Sequence, residues 1–277
     1  MSRQAFYDYV NNRNKPWKHE RLAGLIKEII SEDECNDAYG RVRMREALEY
    51  KYPGKKIPSE RTIYRIMKRI GADHPKRRKA HGITKSDRKA QKSDDLLKRD
   101  FTAERPCEKC VTDITEIPAK DGKLYVSAIF DCYDLFVEGI SMADHMRAEL
   151  CVQTVESAYQ SFGEMRGAIL HSDRGSQYTS EKFRSAIADF GIVQSMNSAG
   201  GKCHDNARCE SMWARMKEEL FYLRGRKSEN FTVDELKTLV WRYFMSYWNN
   251  RRICSAIGGI PPAEKRRRYY AALKSTA

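Results

Sequence analysis

The sequence contains no uninterrupted apolar run of the roughly 18 residues that a membrane span needs. Its opening residues, MSRQAFYDYVNNRNK, include no hydrophobic stretch of the kind found in secretory signal peptides. Its eight cysteines stand at irregular spacing in a chain of 277 residues, which is far longer than a disulfide mini-protein. We therefore expect a cytoplasmic protein in a reducing compartment, with no membrane as a partner.

A cysteine-based metal site has little support in the sequence. Cys107 and Cys110 have the spacing of half a zinc site, but no second CxxC follows them. Cys203-His204 does not form a standard second half. Half a zinc site and a pair of buried or incidental thiols are both open, and the missing second half favours the thiols.

Acidic residues are scarce in the first part of the chain. Residues 1–100 hold 26 Lys and Arg against 15 Asp and Glu, a net charge of +11, whereas the remainder holds 25 against 23. A basic excess confined to one part of a chain indicates a nucleic-acid partner, because release of phosphate counterions drives such binding. A basic domain without such a partner is the alternative.

Periodic apolar residues predict three helices in the N-terminal region. The predicted spans are about 19–31, 38–51 and 59–70. In the third helix Ile63, Ile66 and Ile70 form an apolar stripe between Ser59 as the expected N-cap and Gly71 as the expected stop.

Polar and basic residues decorate the other faces of this third helix. They are Arg61, Thr62, Arg65, Lys68 and Arg69. Three short helices with a basic third one are typical of a helix-turn-helix module, which predicts a DNA-binding domain over residues 1–72. Ordinary three-helix packing with a solvated basic face fits the same pattern.

The composition changes twice along the rest of the chain. Residues 73–105 are predicted to form a basic linker, because residues 73–95 contain almost no apolar side chains. Strands and helices then follow in the order β-β-β-α-β-α-β-α, with Asp121-Gly122 as a hairpin turn. This order predicts an α/β domain over 106–225, with a five-stranded mixed sheet flanked by helices. A further helix and a basic tail are predicted to form an extension over 226–277.

Three acidic residues stand where a sheet of this kind collects ligands. Asp113 lies in the strand-like run KCVTDITEI, Asp173 ends the run GAILHSD, and Glu210 lies near the start of a helix. Converging carboxylates repel one another without a cation, and Mg²⁺ prefers oxygen ligands. Asp131 and Asp134 also follow a strand and compete for this role, so the residues alone leave the choice open.

The motifs around these acids resemble those of the IS-three family of insertion-sequence transposases, specifically the OrfB catalytic subunit. The matching stretches are VTDIT, HSDRGSQYTS, SMNSAGGKCHDNARCESMWARMKEEL and, near the C-terminus, YWNNRR. AYGRVRMREAL and SERTIYRIMKRIG are similar to the family's helix-turn-helix region. Since this family belongs to the retroviral-integrase superfamily, the resemblance implies an RNase H-like integrase catalytic core preceded by an all-α helix-turn-helix-like domain.

The resemblance also implies an activity, cofactors and partners. Asp113, Asp173 and Glu210 would form a DDE triad that binds two Mg²⁺ or Mn²⁺ ions. The enzyme would cleave double-stranded DNA at element ends and transfer the freed 3′-OH to another phosphodiester, without a covalent protein intermediate. The implied partners are a second copy of the chain on DNA and an upstream OrfA-type protein or fusion, in a bacterial, nucleoid-associated setting. No heptad repeat of a zipper is present, so we expect the downstream product alone.

Three further residues, Lys217, Arg252 and His171, have two open interpretations each. Lys217 lies two helical turns after Glu210, and contact with the DNA backbone competes with a plain solvated lysine. Arg252 is compatible with a DNA contact or a salt bridge, and Cys254 stands where many members carry His. Residues expected to support the acids are His171, Arg174, Gln177 and Asn206. His171 either orients a phosphate or carboxylate, or is a core histidine with satisfied hydrogen bonds.

Two other functions compete with strand transfer. A DNA-binding regulator with a catalytically inactive core would have no need of the acidic trio. A nuclease with an RNase H-like core would cut DNA by hydrolysis alone. Nicking that depends on Mg²⁺ separates strand transfer from the first alternative, and formation of joined DNA products separates it from the second.

Overall fold

The computed structural model of the chain describes residues 2–13, 15–73, 94–98, 100–162, 165–197 and 207–276. They divide into two compact units, Met1–Pro75 and Lys76–Ala277, which are considered separately. Asn206 and much of the predicted linker lie outside the described residues. The finer division at residues 72, 105 and 225 stays a prediction.

The described part of the first unit is helical. Its helices are α1 (Arg3–Asn12), α2 (Glu20–Glu32), α3 (Arg41–Lys51) and α4 (Glu60–Arg69), with a 3-10 turn at Glu34–Ala38. The last three correspond to the helices predicted from periodicity. Helix α1 was not predicted, and it buries none of its side chains, so it lacks the one-sided apolar pattern that packing imposes on a sequence.

A small apolar core joins α2, α3 and α4. Ile26, Met44 and Leu48 are fully buried there with Ile63 and Ile66 of α4. The predicted stop of α4 is confirmed, because the helix ends at Arg69 and Gly71 adopts a left-handed φ of +72°. A residue with a Cβ is strained in that conformation, which explains glycine at this position.

The second unit is built on a five-stranded mixed sheet. Its strands are β1 (Lys109–Ala119), β2 (Gly122–Asp131), β3 (Val137–Ala143), β4 (Ile169–Ser172) and β5 (Val193–Met196). They lie in the order β3-β2-β1-β4-β5, with β1 antiparallel to β2 and parallel to β4. The predicted five-stranded, RNase H-like arrangement is confirmed. The Asp121-Gly122 turn is also confirmed, because Ala119 pairs with Gly122 across the hairpin.

Helices flank this sheet. They are α5 (Ala148–Phe162), α6 (Ser176–Thr179), α7 (Glu181–Asp189), α8 (Ala207–Leu220), α9 (Val233–Trp241) and α10 (Pro262–Thr276). The core between sheet and helices includes Ile129, Leu170 and Phe183, all nearly free of solvent contact. Among the described residues, no helix is both long enough and apolar enough to cross a lipid bilayer.

The helix predicted within the extension over 226–277 changes its winding part of the way along. Helix α9 begins with a capping box between Thr232 and Glu235, and from Arg242 to Trp248 the backbone forms a π-helix. The wider turn buries Tyr243, Phe244, Tyr247 and Trp248 against the core. Periodicity of 3.6 residues predicted a helix here but not this local unwinding, because tertiary packing of four large rings favours it.

Candidate active site

Strand register places Asp113 beside Asp173. The last residue pair of the parallel β1–β4 ladder is Val111 with His171. Each aspartate lies two residues further along its chain and therefore on the same face of the sheet, because side chains alternate in strands. Asp113 lies within β1 and Asp173 directly follows β4, so both carboxyl groups occupy the end of the sheet at which β4 stops.

Helix α8 presents one face to β1. Trp213 donates its indole N–H to Oδ2 of Asp113 at 3.2 Å, and Lys217 Nζ donates to the Glu116 carbonyl oxygen at 3.0 Å. Glu210 lies one turn before Trp213 and is exposed. The apolar stripe of this helix, which includes Met212 and Trp213, is buried. Packing of that stripe sets the rotation of α8 and thereby brings Glu210 toward the two aspartates.

The three carboxylates influence one another electrostatically. Burial, together with the negative charges of Asp173 and Glu210, raises the pKa of Asp113 to about 7. Hydrogen bonds from Ile114 and Trp213 oppose this increase. Burial also raises the pKa of Asp173, against the opposing effects of the Gly175 N–H and of His171. An acid that retains its proton near neutrality, next to two further acids, is an arrangement that a bound cation stabilises.

A tight turn fixes the Asp173 carboxylate. Gly175 donates its backbone N–H to Asp173 Oδ1 at 2.8 Å. A Cβ at Gly175 would lie 3.0 Å from that same oxygen and 2.8 Å from Oε1 of Gln177. Because an added Cβ would crowd both oxygens, the HSDRG turn requires glycine at this position. The sequence alone did not reveal this constraint.

We expect Gly175→Ala to reduce DNA cleavage by roughly tenfold to a hundredfold, because displacement of a reacting group by about 1 Å costs about that much. The flexible side chain of Gln177 can move away from an added Cβ. A shift of the Asp173 carboxylate, in contrast, would disturb its hydrogen bond with the Gly175 N–H. Gly24→Ala is the control, since a Cβ there meets nothing within 4 Å. The measurement is the DNA cleavage rate per folded molecule of each variant. Equal rates for Gly175→Ala and Gly24→Ala would contradict the expected disturbance of Asp173.

His171 is held by protein groups on both sides of its ring. Nδ1 lies 2.8 Å from Ser195 Oγ and Nε2 lies 2.8 Å from Asn197 Oδ1. Ser195 Oγ also accepts the backbone N–H of Leu96 at 2.9 Å. With 1% exposure, His171 is the core histidine with satisfied hydrogen bonds, which was one of its two predicted roles. It ties β4 to β5 immediately before Asp173.

The other predicted supporting residues brace the same turn. Arg174 Nε donates to the Asn197 carbonyl oxygen at 2.7 Å, and Gln177 Nε2 donates to the Met146 carbonyl oxygen at 2.9 Å. Both contacts anchor the chain that follows Asp173 to neighbouring elements. Asn206 lies outside the described residues.

Arg252 is part of a buried ion pair. Its guanidinium contacts Glu219 of α8, with Nη2 at 2.6 Å from Oε1, and only 3% of the arginine is exposed. Tyr243 donates to the same carboxylate, and Arg252 Nη1 lies 3.2 Å from Cys254 Sγ. The structure therefore shows the salt bridge, which was one of the two predicted roles of Arg252. A guanidinium at this depth is not available to DNA.

A second acidic cluster accounts for the acids that competed with the trio. Asp131, Asp134 and Glu138 are fully buried, and all three contact the guanidinium of Arg266 from α10. The Cys107 thiol, Asp131 and Glu138 place ligand atoms within 4.8 Å of one another. Burial raises the pKa of Cys107, which favours the neutral thiol, and Arg266 already supplies the positive charge. This cluster therefore has a structural role, with the protein's own cation in contact with all three acids.

The five predicted DNA-contacting residues of the first unit lie on α4. Arg61, Arg65, Lys68 and Arg69 are exposed and Thr62 is partly buried. Arg69 stacks over the Trp17 ring at 4.3 Å from its centroid, and Thr62 Oγ1 lies 3.4 Å from Ser59 Oγ. Ile63, Ile66 and Met67 form the opposite, buried face. Helix α4 thus presents a basic face with its apolar face packed away.

The raised pKa of Asp113 predicts a specific pH dependence of stability. The folded protein holds this proton more tightly than the unfolded chain, whose aspartates titrate near 3.9. This contribution to stability is present in full below about pH 4 and is lost as pH rises through about 7. With a chelator present, the free energy of unfolding of the wild type should fall relative to that of Asp113→Asn between pH 5 and pH 8. The fall should be at most about 2–3 kcal/mol, because partial exposure of the carboxylate to solvent reduces the effect.

Urea denaturation at the two pH values measures this difference. Addition of Mn²⁺ at pH 8 should restore stability to the wild type and have little effect on Asp113→Asn, because an ion that binds the folded site stabilises it by mass action. Parallel pH dependence of the two proteins would show that Asp113 is not the strained acid.

Comparisons with known proteins find integrase core domains and putative transposases. Two protein families, both described as integrase core domains, match the chain. One matches residues 103–202 and the other matches residues 192–262. The chain is 31% identical over 270 residues to the putative transposase InsK of insertion sequence element IS150 from Escherichia coli strain K12, covering 98% of this chain and 91% of that protein. It is 30% identical over 273 residues to the putative transposase of IS986/IS6110 from Mycobacterium tuberculosis strain CDC 1551 / Oshkosh, covering 96% and 95%.

Among solved structures, the chain resembles a component of the simian T-cell lymphotropic virus intasome in complex with the PP2A regulatory subunit B56 gamma. The TM-score is 0.49 at 14% identity, and the match covers 80% of this chain and 70% of that one.

Proposed function

We propose that this chain, which belongs to the insertion-sequence transposases with an integrase core domain, cleaves DNA at the ends of its element and joins the freed 3′-OH to a target phosphodiester. Membership makes it a polynucleotidyl transferase of the DDE transposase type. The observation that supports the specific site is the raised pKa of Asp113, which two neighbouring acids and burial produce together. Divalent cations would stabilise such a site, because they offset the repulsion among its carboxylates.

The chemistry of the donor set fits divalent cations of the Mg²⁺ or Mn²⁺ type. Asp113, Asp173 and Glu210 offer carboxylate oxygens, which these ions prefer, and they leave room for waters and substrate phosphate oxygens. When bound, two such ions supply positive charge that activates the attacking oxygen and stabilises the leaving one. In our proposal the three side chains hold both ions, and the Gly175 N–H keeps the Asp173 carboxylate in place.

Lys217 lies at the rim of this site. Its ammonium donates to the Glu116 carbonyl oxygen, and burial lowers its pKa while the charges of Glu116 and Asp113 oppose that decrease. A partly buried cation near Asp113 reduces the repulsion that a DNA phosphate would meet there. We propose that Lys217 contacts the DNA backbone next to the scissile bond.

The exposed face of α4 is proposed to enter a DNA major groove. Arg61, Thr62 and Arg65 lie in the N-terminal half of the helix, the part that recognition helices present to base edges. Lys68 follows one turn after Arg65 and would lie against the phosphate backbone. Base contacts distinguish sequences, whereas phosphate contacts do not.

We expect Arg65→Ala to weaken binding to the element end by about 1–3 kcal/mol and binding to unrelated DNA by much less. Lys68→Ala is the matched comparison: it should weaken both equally and reduce the log-log salt slope by about 0.9 for one lost phosphate contact. Fluorescence anisotropy across a salt series measures both effects. Equal losses on the two DNAs for Arg65→Ala would demote it to a phosphate contact.

The proposed activity is tested by incubating the protein with labelled element-end DNA, a supercoiled plasmid and Mg²⁺. Nicked ends together with end–plasmid joined products support strand transfer. Nicked ends without joined products in the presence of 3′-OH ends would indicate a hydrolytic nuclease. DNA binding without nicking would indicate a regulator with an inactive core.

The proposed partners follow from the same reaction. Two element ends have to be processed together, so we propose a homo-oligomer assembled on DNA, with an upstream OrfA-type protein or fusion as a further partner. A bacterial, nucleoid-associated cytoplasmic location is consistent with a DNA substrate and with the bacterial relatives.

A further inference from the structure

The indole of Trp213 connects the core of the second unit to the candidate active site. Trp213 lies in the buried apolar stripe of α8 and is only 5% exposed. Its Nε1, however, lies 3.2 Å from Oδ2 of Asp113. A tryptophan N–H is a donor only, so this contact engages Oδ2, and the backbone N–H of Ile114 is a second donor to the same carboxylate.

Aromatic neighbours fix the direction of this N–H. The Trp213 ring packs edge-on against Phe130 of β2 at 5.2 Å and against Phe244 of the π-helical segment at 5.6 Å. Both phenylalanines are fully buried and also contact each other at 5.7 Å. Three rings in mutual contact leave the indole no space to rotate, because protein interiors are close-packed. The donor is therefore preorganised before any ligand arrives.

We propose that Trp213 is a positioning residue for Asp113, holding the carboxylate in one rotamer so that its second oxygen faces the divalent cation. This inference rests on the proposed function, since it requires Asp113 to be a cation ligand. Hydrogen bonds to ligating groups orient those groups, and their removal typically weakens metal affinity about 10–100-fold.

The test compares Trp213→Phe with Trp241→Phe in the full chain. Trp213→Phe keeps an aromatic ring in the core but removes the N–H, whereas Trp241 on α9 is 53% exposed and undergoes the same chemical change away from the site. Mn²⁺ affinity is measured without DNA by the electron paramagnetic resonance signal of free Mn²⁺. We expect affinity to fall about 10–100-fold for Trp213→Phe and to stay unchanged for Trp241→Phe.

Kinetics separate positioning from structural damage. The Mg²⁺ concentration for half-maximal cleavage should rise by the same factor in Trp213→Phe, while the rate at saturating Mg²⁺ stays within about threefold of the wild type. Phe244→Leu loosens the packing but retains the N–H, so it should lower the melting temperature more than the Mn²⁺ affinity. If Phe244→Leu weakened Mn²⁺ binding as much as Trp213→Phe, packing rather than the hydrogen bond would be responsible, and the proposal would be overturned.

Asp113→Asn distinguishes failure of this inference from failure of the proposed function. If Asp113→Asn loses Mn²⁺ binding while Trp213→Phe retains wild-type affinity, the positioning role is wrong and the proposed site stands. If Asp113→Asn retains Mn²⁺ binding, the proposed site is wrong and the positioning role is overturned with it.

Discussion

Asp113→Asn, Asp173→Asn and Glu210→Gln should each reduce strand cleavage by about a thousandfold or more. Each substitution removes one negative charge from the proposed cation site, and charge stabilisation by bound metal contributes several kcal/mol to the barrier. DNA affinity should stay close to that of the wild type, because the basic excess lies in residues 1–100 and not in the trio. A gel assay with labelled element ends measures cleavage, and anisotropy measures binding.

Asp131→Asn is the comparison variant for this experiment. Asp131 is a fully buried acid of the same sheet, but Arg266 binds it, so its loss should leave activity per folded molecule intact. Near-wild-type cleavage by any one of the three variants would remove that residue from the triad. Loss of activity in folded Asp131→Asn would move the catalytic site toward the Arg266 cluster.

Arg266→Ala should lower the free energy of unfolding by about 3–5 kcal/mol at pH 7.5, the usual cost of leaving buried partners of an ion pair uncompensated. Three fully buried carboxylates, those of Asp131, Asp134 and Glu138, would lose their shared cation. The pKa of Asp131 is already raised to about 8 by burial and by the charges of the other two acids. Without Arg266 the acids would bind protons even more readily, so the destabilisation should be smaller at pH 5 than at pH 7.5.

Arg267→Ala is the neighbouring control for this experiment. The Arg267 side chain is 75% exposed and pairs with Glu264 on the same helix, an interaction worth only a few tenths of a kcal/mol. Urea denaturation of both variants at the two pH values gives the comparison. A small effect of Arg266→Ala, or an effect that grows as pH falls, would show that the cluster is not held by this arginine.

Local patterns predicted the elements of this fold because the forces that form them act over a few residues. The largely apolar run KLYVSAIFD and the Asp-Gly turn before it define β2, and the apolar stripe of α4 with Gly71 defines that helix and its end. Helix α1 and the π-helical segment were missed for opposite reasons. The first has no buried face to leave a pattern, and the second owes its winding to rings that pack from other elements.

The candidate site was predicted less completely. Composition and strand ends indicated Asp113 and Asp173 but also Asp131, and only the family's motifs favoured the first two together with Glu210. Sequence could not separate them because all of these acids follow or occupy strands. Arg266, which binds Asp131, lies 135 residues away from it in the chain.

The sequence by itself determined the α/β order of the second unit, the basic helical first unit and the stretches that carry the acids, because periodicity, turns and charge are local properties. Tertiary structure decided what each charged or polar side chain does. Arg252 binds Glu219 at a separation of 33 residues, and Trp213 reaches Asp113 at a separation of 100. Such partners are chosen by strand register and helix rotation, which depend on the packing of the whole core and leave no short-range pattern in the chain.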